Sequence, residues 1–252
     1  SLPLNAFDGC SKVHSIEIEG DFTYLPYYAF NNCNSMVQVK FPESVTSIGS
    51  YAFRYCYLLE EVNIPAGVTY IGEEAFSCCN ALRSIVLPEK ITAILGETFS
   101  NCTSLESIVI PDNVKSIANN AFFYCKALQA VTFGTQSKLS RIGWKAFTHC
   151  ENLTAIELPD SLTEIDDYAF SYTGLKSLTI PQNVEKVGYG FFGDYGEVSE
   201  LNWNAKNAAW TQYSDAKGKP LTITIGQSVE VLPAQTMKSI AVCGATEVRF
   251  VG

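Results

Sequence analysis

Long apolar runs are missing from this sequence. No stretch of about 18 consecutive hydrophobic residues occurs, so no segment reads as a membrane-spanning helix. Charge is sparse and unbalanced: Asp, Glu, Lys and Arg make up 17% of the residues, and 17 basic against 26 acidic side chains leave a formal net charge of −9. The shortage of cations argues against nucleic acid or anionic lipid as partners, because both require a basic surface to displace counterions. Only 2 histidines are present, and the C-x-x-C pairs of a structural zinc site are absent. No signal peptide is recognisable either: Ser1 opens inside a repeat, so a leader and an earlier repeat are expected upstream of it. Apolar residues are plentiful, and a 47% share is enough for an ordered core and argues against disorder.

A single sentence repeats along the chain. Its ruler is an Ala-Phe pair, found at Ala6-Phe7, Ala29-Phe30, Ala52-Phe53, Ala75-Phe76 and Ala121-Phe122, with Thr98-Phe99 in the same register 23 residues after Phe76. It continues at Ala146-Phe147, Ala169-Phe170, Phe191-Phe192 and, after a gap, Thr236-Met237. Two residues are inserted between Phe133 and Leu139, and one is missing from the turn 171–175. Length changes confined to the intervals between anchors mark those intervals as loops. A fixed period replaces the two-domain expectation for a chain of this length with one stack of coils over 1–252.

Each unit also holds an apolar-x-x-apolar-x-apolar segment, usually closed by proline, as in Leu82-Ile85-Leu87-Pro88 and Leu153-Ile156-Leu158-Pro159. The alternation predicts a strand buried on one face, and the proline ends its ladder. Eleven such strands are expected, ending at Ile18, Phe41, Ile64, Leu87, Ile110, Phe133, Leu158, Ile180, Trp203, Ile225 and Phe250. No unit has room for a long crossover helix, so successive strands must stack in parallel at roughly 4.8 Å. A return path carries pairs such as Val68/Ile71, followed by Gly49, Gly72, Gly143 or Gly188 at a corner. Leu95, Ala118 and Asp166 occupy the same corner, which argues against an obligatory positive φ there. Residues 204–220 lack an Ala-Phe pair yet keep the register, and read as a degenerate coil. Residues 238–252 are where a terminal cap is expected.

Candidate chemistry is thin. Seven of the nine cysteines, Cys10, Cys33, Cys56, Cys79, Cys102, Cys125 and Cys150, sit three residues after a Phe anchor. One residue type repeated at one structural position predicts a ladder of buried free thiols, and Thr173 and Tyr195 substitute for it in two coils. His149 precedes Cys150, but consecutive side chains point apart and no orienting group is evident, so the pair is not a nucleophilic dyad. The 188–193 segment matches GxGxxG only formally, because no βαβ unit surrounds it.

That leaves surfaces. Between the last two apolar strand positions one residue points away from the core. These outward residues include Lys40, Asn63, Val86, Val109, Thr132, Glu157 and Thr179, the candidate binding residues. Val86 and Val109 form an apolar strip between polar neighbours, which fits either a partner footprint or the β-propensity of valine. Positions two residues earlier, such as Gln38, Ser107 and Ala130, are expected on the same face with less regular alternation. Tyr28, Tyr51 and Tyr168 form a second possible patch on the return side.

Taken together, the LxxIxIPxxVxxIGxxAFxxCxx units resemble the BspA-like, treponemal-type class of leucine-rich repeats over nearly the whole chain. The 202–207 stretch NWNAKN also resembles a variant coil of such proteins in gut Bacteroidetes. The resemblance implies a leucine-rich-repeat solenoid, a right-handed horseshoe with one parallel sheet lining its concave face. It implies secretion or attachment at a bacterial surface, and adhesion to a host matrix or microbial protein, with glycan as a second partner class. It supplies no catalytic residue, cofactor or metal, and a monomer is expected. A passive surface stalk and the repeat region of a larger enzyme remain open alternatives.

Overall fold

Strands form where alternation allows one face to be buried while the backbone pairs with the coils on either side. The computed structural model describes residues 3–193, 197–210 and 220–251. In it the chain winds into a parallel-strand β-solenoid of about ten turns with little helix. Long strands run at Ser15–Glu17, Gln38–Lys40, Glu61–Asn63, Ser107–Ile110, Ala130–Phe133, Ser177–Ile180, Glu200–Trp203, Leu221–Ile225 and Ala245–Phe250. Each pairs in parallel with residues one coil away, as Ile16 with Val39 and Val131 with Ile108.

Two of the eleven expected strands do not form. Residues 84–87 make only an isolated bridge, Ser84 to Ser107, and residues 154–158 make no ladder. The single sheet expected on this face is therefore three segments. A second face was not anticipated as a sheet at all. Two-residue strands such as Tyr24–Leu25, Arg141–Ile142 and Glu164–Ile165 pair in parallel along the return path. This short-strand ladder is unbroken from Ala93–Ile94 through Ala209–Trp210.

The Ala-Phe segments build the third side. Along it amides alternate between their own coil and the next. Ala29, Asn31 and Cys33 donate to Pro26, Tyr28 and Phe30, while Tyr28, Phe30 and Asn32 donate to Ser50, Ala52 and Arg54. This alternation needs two left-handed residues per coil. They are the one before Ala or its substitute Thr98 (Tyr28, Tyr51, Glu74, Glu97, Asn120, Lys145 and Tyr168, φ 52 to 61°) and the one before Cys or its substitute Thr173 (Asn32, Tyr55, Cys78, Asn101, Tyr124, His149 and Tyr172, φ 57 to 63°). Such conformations cost on the order of 1 kcal/mol or more each and persist because the surrounding bonds fix them. Glycine takes the first position at Gly190 and the second at Gly9, so the GxGxxG match at 188–193 falls on coil geometry rather than on a phosphate loop.

The corner glycines answer a different demand. Gly72 has no left-handed φ, but a Cβ there would lie 2.3 Å from the backbone nitrogen of Ser50. A Cβ on Gly188 would lie 2.3 Å from that of Asp167. Close approach to the adjoining coil, not φ, selects glycine at Gly72 and Gly188.

Inside, the Phe rings stack coil on coil. Phe7, Phe30, Phe53, Phe76, Phe99, Phe122, Phe147 and Phe170 form one column with centroids 5.2 to 5.7 Å apart. It ends in a different cluster, where Trp210 packs edge-on against Phe191 and stacks on Trp203. The strand Ala209–Trp210 keeps the register of Lys186–Val187, so the first part of the 204–220 segment is an in-register coil. The rest, 211–219, lies outside the described residues, as does Tyr195. The chain's end folds as the helix Ala234–Val242 and the strand Ala245–Phe250, leaving Met237, Val242, Val248 and Phe250 exposed.

Candidate binding face

Except for the terminal Ala245–Phe250, the long strands alternate between outward and inward residues. In Ser107–Ile110 and Ser177–Ile180 the pattern is exposed, buried, exposed, buried. Lys40, Asn63, Val86, Val109, Thr132, Glu157 and Thr179 all stand exposed on this face. Val86 and Val109 are 82% and 61% exposed, so this pair on adjacent coils presents its apolar surface to solvent. The row two residues earlier is as cleanly outward: Gln38, Glu61, Ser107, Ala130, Ser177 and Glu200 are all exposed. The face is thus a double row, and its second row alternates more regularly than the pattern suggested. The ion pair between neighbouring coils of the outward row, Lys40 to Glu17 at 3.8 Å, is exposed on both sides and contributes little to stability.

The aromatic patch on the turn side differs from expectation. Tyr28, Tyr51 and Tyr168 are half-buried, and Tyr168 lies coils away from the other two. Tyr28 and Tyr51 stack at 4.6 Å, and the Arg54 guanidinium lies 4.5 Å from the Tyr55 ring centroid. Further along, His149 stacks between Tyr124 at 4.4 Å and Tyr172 at 4.3 Å. Burial pushes the His149 imidazole below its ordinary pKa, with Glu151 opposing that shift. Cys150 points the other way: its Sγ donates inward to the Phe122 carbonyl at 3.2 Å. The two side chains sit on opposite sides of the wall and share no chemistry.

The short-strand face carries a feature the sequence reading missed. Arg141, Glu164 and Lys186 occupy equivalent positions on three successive coils, with Asp166 beside them. Arg141 pairs with Glu164 at 3.3 Å and also with Asp166, and Lys186 pairs with Glu164. The hydrogen bond from Lys186 is the main reason the Glu164 carboxyl titrates below the usual range. Opposite charges at the repeat spacing were the signal available for it.

All nine cysteines are free. Cys33, Cys56, Cys79, Cys102, Cys125 and Cys150 each donate Sγ–H to the carbonyl of the preceding coil's Phe anchor at 3.1 to 3.2 Å. Burial pushes these thiols up, Cys33 to about 11 and the deeper ones further, so they stay protonated at neutral pH. Thr173 breaks the ladder, donating instead to Phe170 of its own coil. Among the described residues no group of three or more His, Cys, Asp or Glu is placed to hold a metal, and no helix is long and apolar enough to cross a membrane.

Stacked parallel coils, a Phe column and an outward double row define a leucine-rich-repeat scaffold. The BspA type leucine rich repeat region matches residues 1–129 and 127–239 in 6 copies, and the chain belongs to that family. Among solved structures it is similar to a leucine-rich repeat protein from Bacteroides ovatus, at 25% identity with a TM-score of 0.67. That match covers 99% of this chain and 63% of the other, so the chain spans less than two thirds of that structure. The leucine rich repeat protein TpLRR of T. pallidum matches at 25% identity and TM-score 0.54, over 60% of this chain and 69% of that one. The pneumococcal vaccine antigen PcpA shares the fold at 18% identity and TM-score 0.57, over 96% of this chain and 68% of its own. No match was found among curated proteins.

Proposed function

We propose that this chain is a non-catalytic scaffold that binds a protein partner at a bacterial surface, using its long-strand face. The observation that carries the proposal is the exposed Val86–Val109 pair on adjacent coils, flanked by the polar side chains of Asn63 and Thr132. An apolar strip with a polar rim is the composition of a recognition patch. Membership of the BspA-type family supports the scaffold role and the location outside the cell. The buried, protonated thiols and the lack of a metal-ligating cluster among the described residues favour binding over catalysis. Immobilised protein is to be screened against host matrix proteins and surface extracts of neighbouring bacteria. A specific partner should be retained, and the Val86→Asp/Val109→Asp variant should lose it with its thermal midpoint nearly unchanged. Retention by the variant would remove the strip from the account.

A further inference from the structure

The long-strand ladder opens at one place into a groove. Between Ala130–Phe133 and residues 155–161 lies a cavity of 840 Å³, within the size range of sites that bury ligands. Its cause is local. The two-residue insertion makes the loop after Phe133 lean back on the preceding coil. There the Gln136 amide donates to Asp112 Oδ1 at 2.9 Å, and the Lys138 amide donates to the Asp112 carbonyl at 2.9 Å. The following coil does not follow it. No backbone hydrogen bond joins residues 154–158 to Ala130–Phe133 on one side or to Ser177–Ile180 on the other, among the described residues. The short-strand ladder stays intact behind the opening, through Arg141–Ile142, Glu164–Ile165 and Lys186–Val187. The coils part on one face only, like a book held at its spine.

What lines the opening is specific in kind. It presents the unpaired backbone edge of Ala130–Phe133 and the free amides and carbonyls of 154–158. Phe133, Ile156 and Leu158 are only half-buried here, whereas their counterparts Ile110 and Ile180 (for Phe133 and Leu158) and Ile108 and Leu178 (for Ile156) are buried. Glu157 and Asp160 stand at the rim with no ion pair among the described residues, and the lining holds no lysine or arginine.

An open strand edge, half-exposed apolar side chains and an unneutralised acidic rim together fit one occupant. We infer that this groove binds an extended, basic peptide segment of a partner protein. The segment pairs its backbone with the open edge, sets apolar side chains on Phe133, Ile156 and Leu158, and faces a lysine or arginine toward Glu157 and Asp160. Strand addition draws affinity from main-chain hydrogen bonds and specificity from alternate side chains. The inference rests on the proposed protein-binding role and names the partner's chemistry.

The test uses the intact chain and fluorescent decapeptides in which lysine or arginine alternates with valine, leucine or isoleucine, followed by anisotropy. At least one should bind saturably, and alternate backbone N-methylation, which removes amide donors but keeps charge, should weaken it tenfold or more. The exposed pair change Glu157→Lys/Asp160→Lys should weaken it to a similar degree without moving the thermal midpoint. Peptides with glutamate for lysine should not bind. Equal binding of the N-methylated peptide would reduce the effect to surface charge and overturn the inference, as would no binding across the set. The Val86→Asp/Val109→Asp variant should bind these peptides normally, so failure of the strip and failure of the groove are separable.

Discussion

The thiol of Cys102 donates to the carbonyl oxygen of Phe76, 26 residues earlier, at 3.1 Å. The same oxygen accepts the backbone N–H of Cys79 at 3.2 Å, so each Phe carbonyl ties its own turn to the next coil. The arrangement explains why a small side chain with a donor recurs at this position.

A pH dependence follows. Burial raises the pKa of Cys79, Cys102 and Cys125 well above the ordinary thiol value. A raised folded-state pKa means that the folded form holds its proton where the unfolded form, at about 8.5, releases it. The ladder's contribution is therefore complete below about pH 8 and declines as pH rises past the unfolded value toward the folded ones, by up to about 1.4 kcal/mol per pH unit per thiol. Thermal midpoints measured under reducing conditions from pH 7.5 to 10 should fall more steeply for the native sequence than for Cys79→Ser/Cys102→Ser/Cys125→Ser. Equal slopes would mean that these thiols are not held protonated by the fold.

Alkylation should sort the cysteines by depth. Cys10 and Cys78 are half-buried and the other seven buried, so the folded protein should label at those two first. All nine should react once the unreduced protein is denatured. A denatured sample with fewer reactive thiols would reveal disulfides and contradict the ladder.

Phe76 lies between Phe53 and Phe99, with centroids 5.4 and 5.7 Å away, and is fully buried. Phe76→Ala should cost about 3–5 kcal/mol in urea unfolding, the usual range for truncating a buried ring. A loss below about 1 kcal/mol would place the column outside the stabilising core.

Two glycines five residues apart should behave oppositely. A Cβ on Gly72 would meet the Ser50 backbone at 2.3 Å, whereas one on Gly67 would find nothing nearer than 3.6 Å. Gly72→Ala should lower stability by about 1–3 kcal/mol through overpacking, and Gly67→Ala should stay within about 0.5 kcal/mol of the parent. Similar effects from both would refute the close-approach account of the corner.

What side chains do inside a coil was readable from the order of residues. Val62 and Ile64 are buried and Asn63 between them is exposed, as alternation required. Relations between coils were not readable. Leu82-Ile85-Leu87 and Leu153-Ile156-Leu158 carry the same pattern as Leu105-Ile108-Ile110, yet only the last forms a strand longer than a bridge. Pairing depends on the distance to the next coil, which loops such as 134–138 control from outside the pattern. The left-handed positions were hidden for a related reason. Hydrogen bonds to the neighbouring coil impose φ on Tyr, Glu, Lys and His alike, so glycine does not announce them. Along the long-strand face the outward direction of both rows was legible from alternation, the second row being cleaner than expected, while the groove beside Glu157 emerges only from the stacking.

The most direct test of the binding-scaffold account is a hydroxyl-radical footprint of the protein with the partner retained in the screen. The account predicts that Val86, Val109 and Thr132 lose reactivity on binding while Tyr28, Tyr51 and Tyr172 on the turn side keep theirs. Protection of the turn-side tyrosines with the long-strand face unchanged would contradict it.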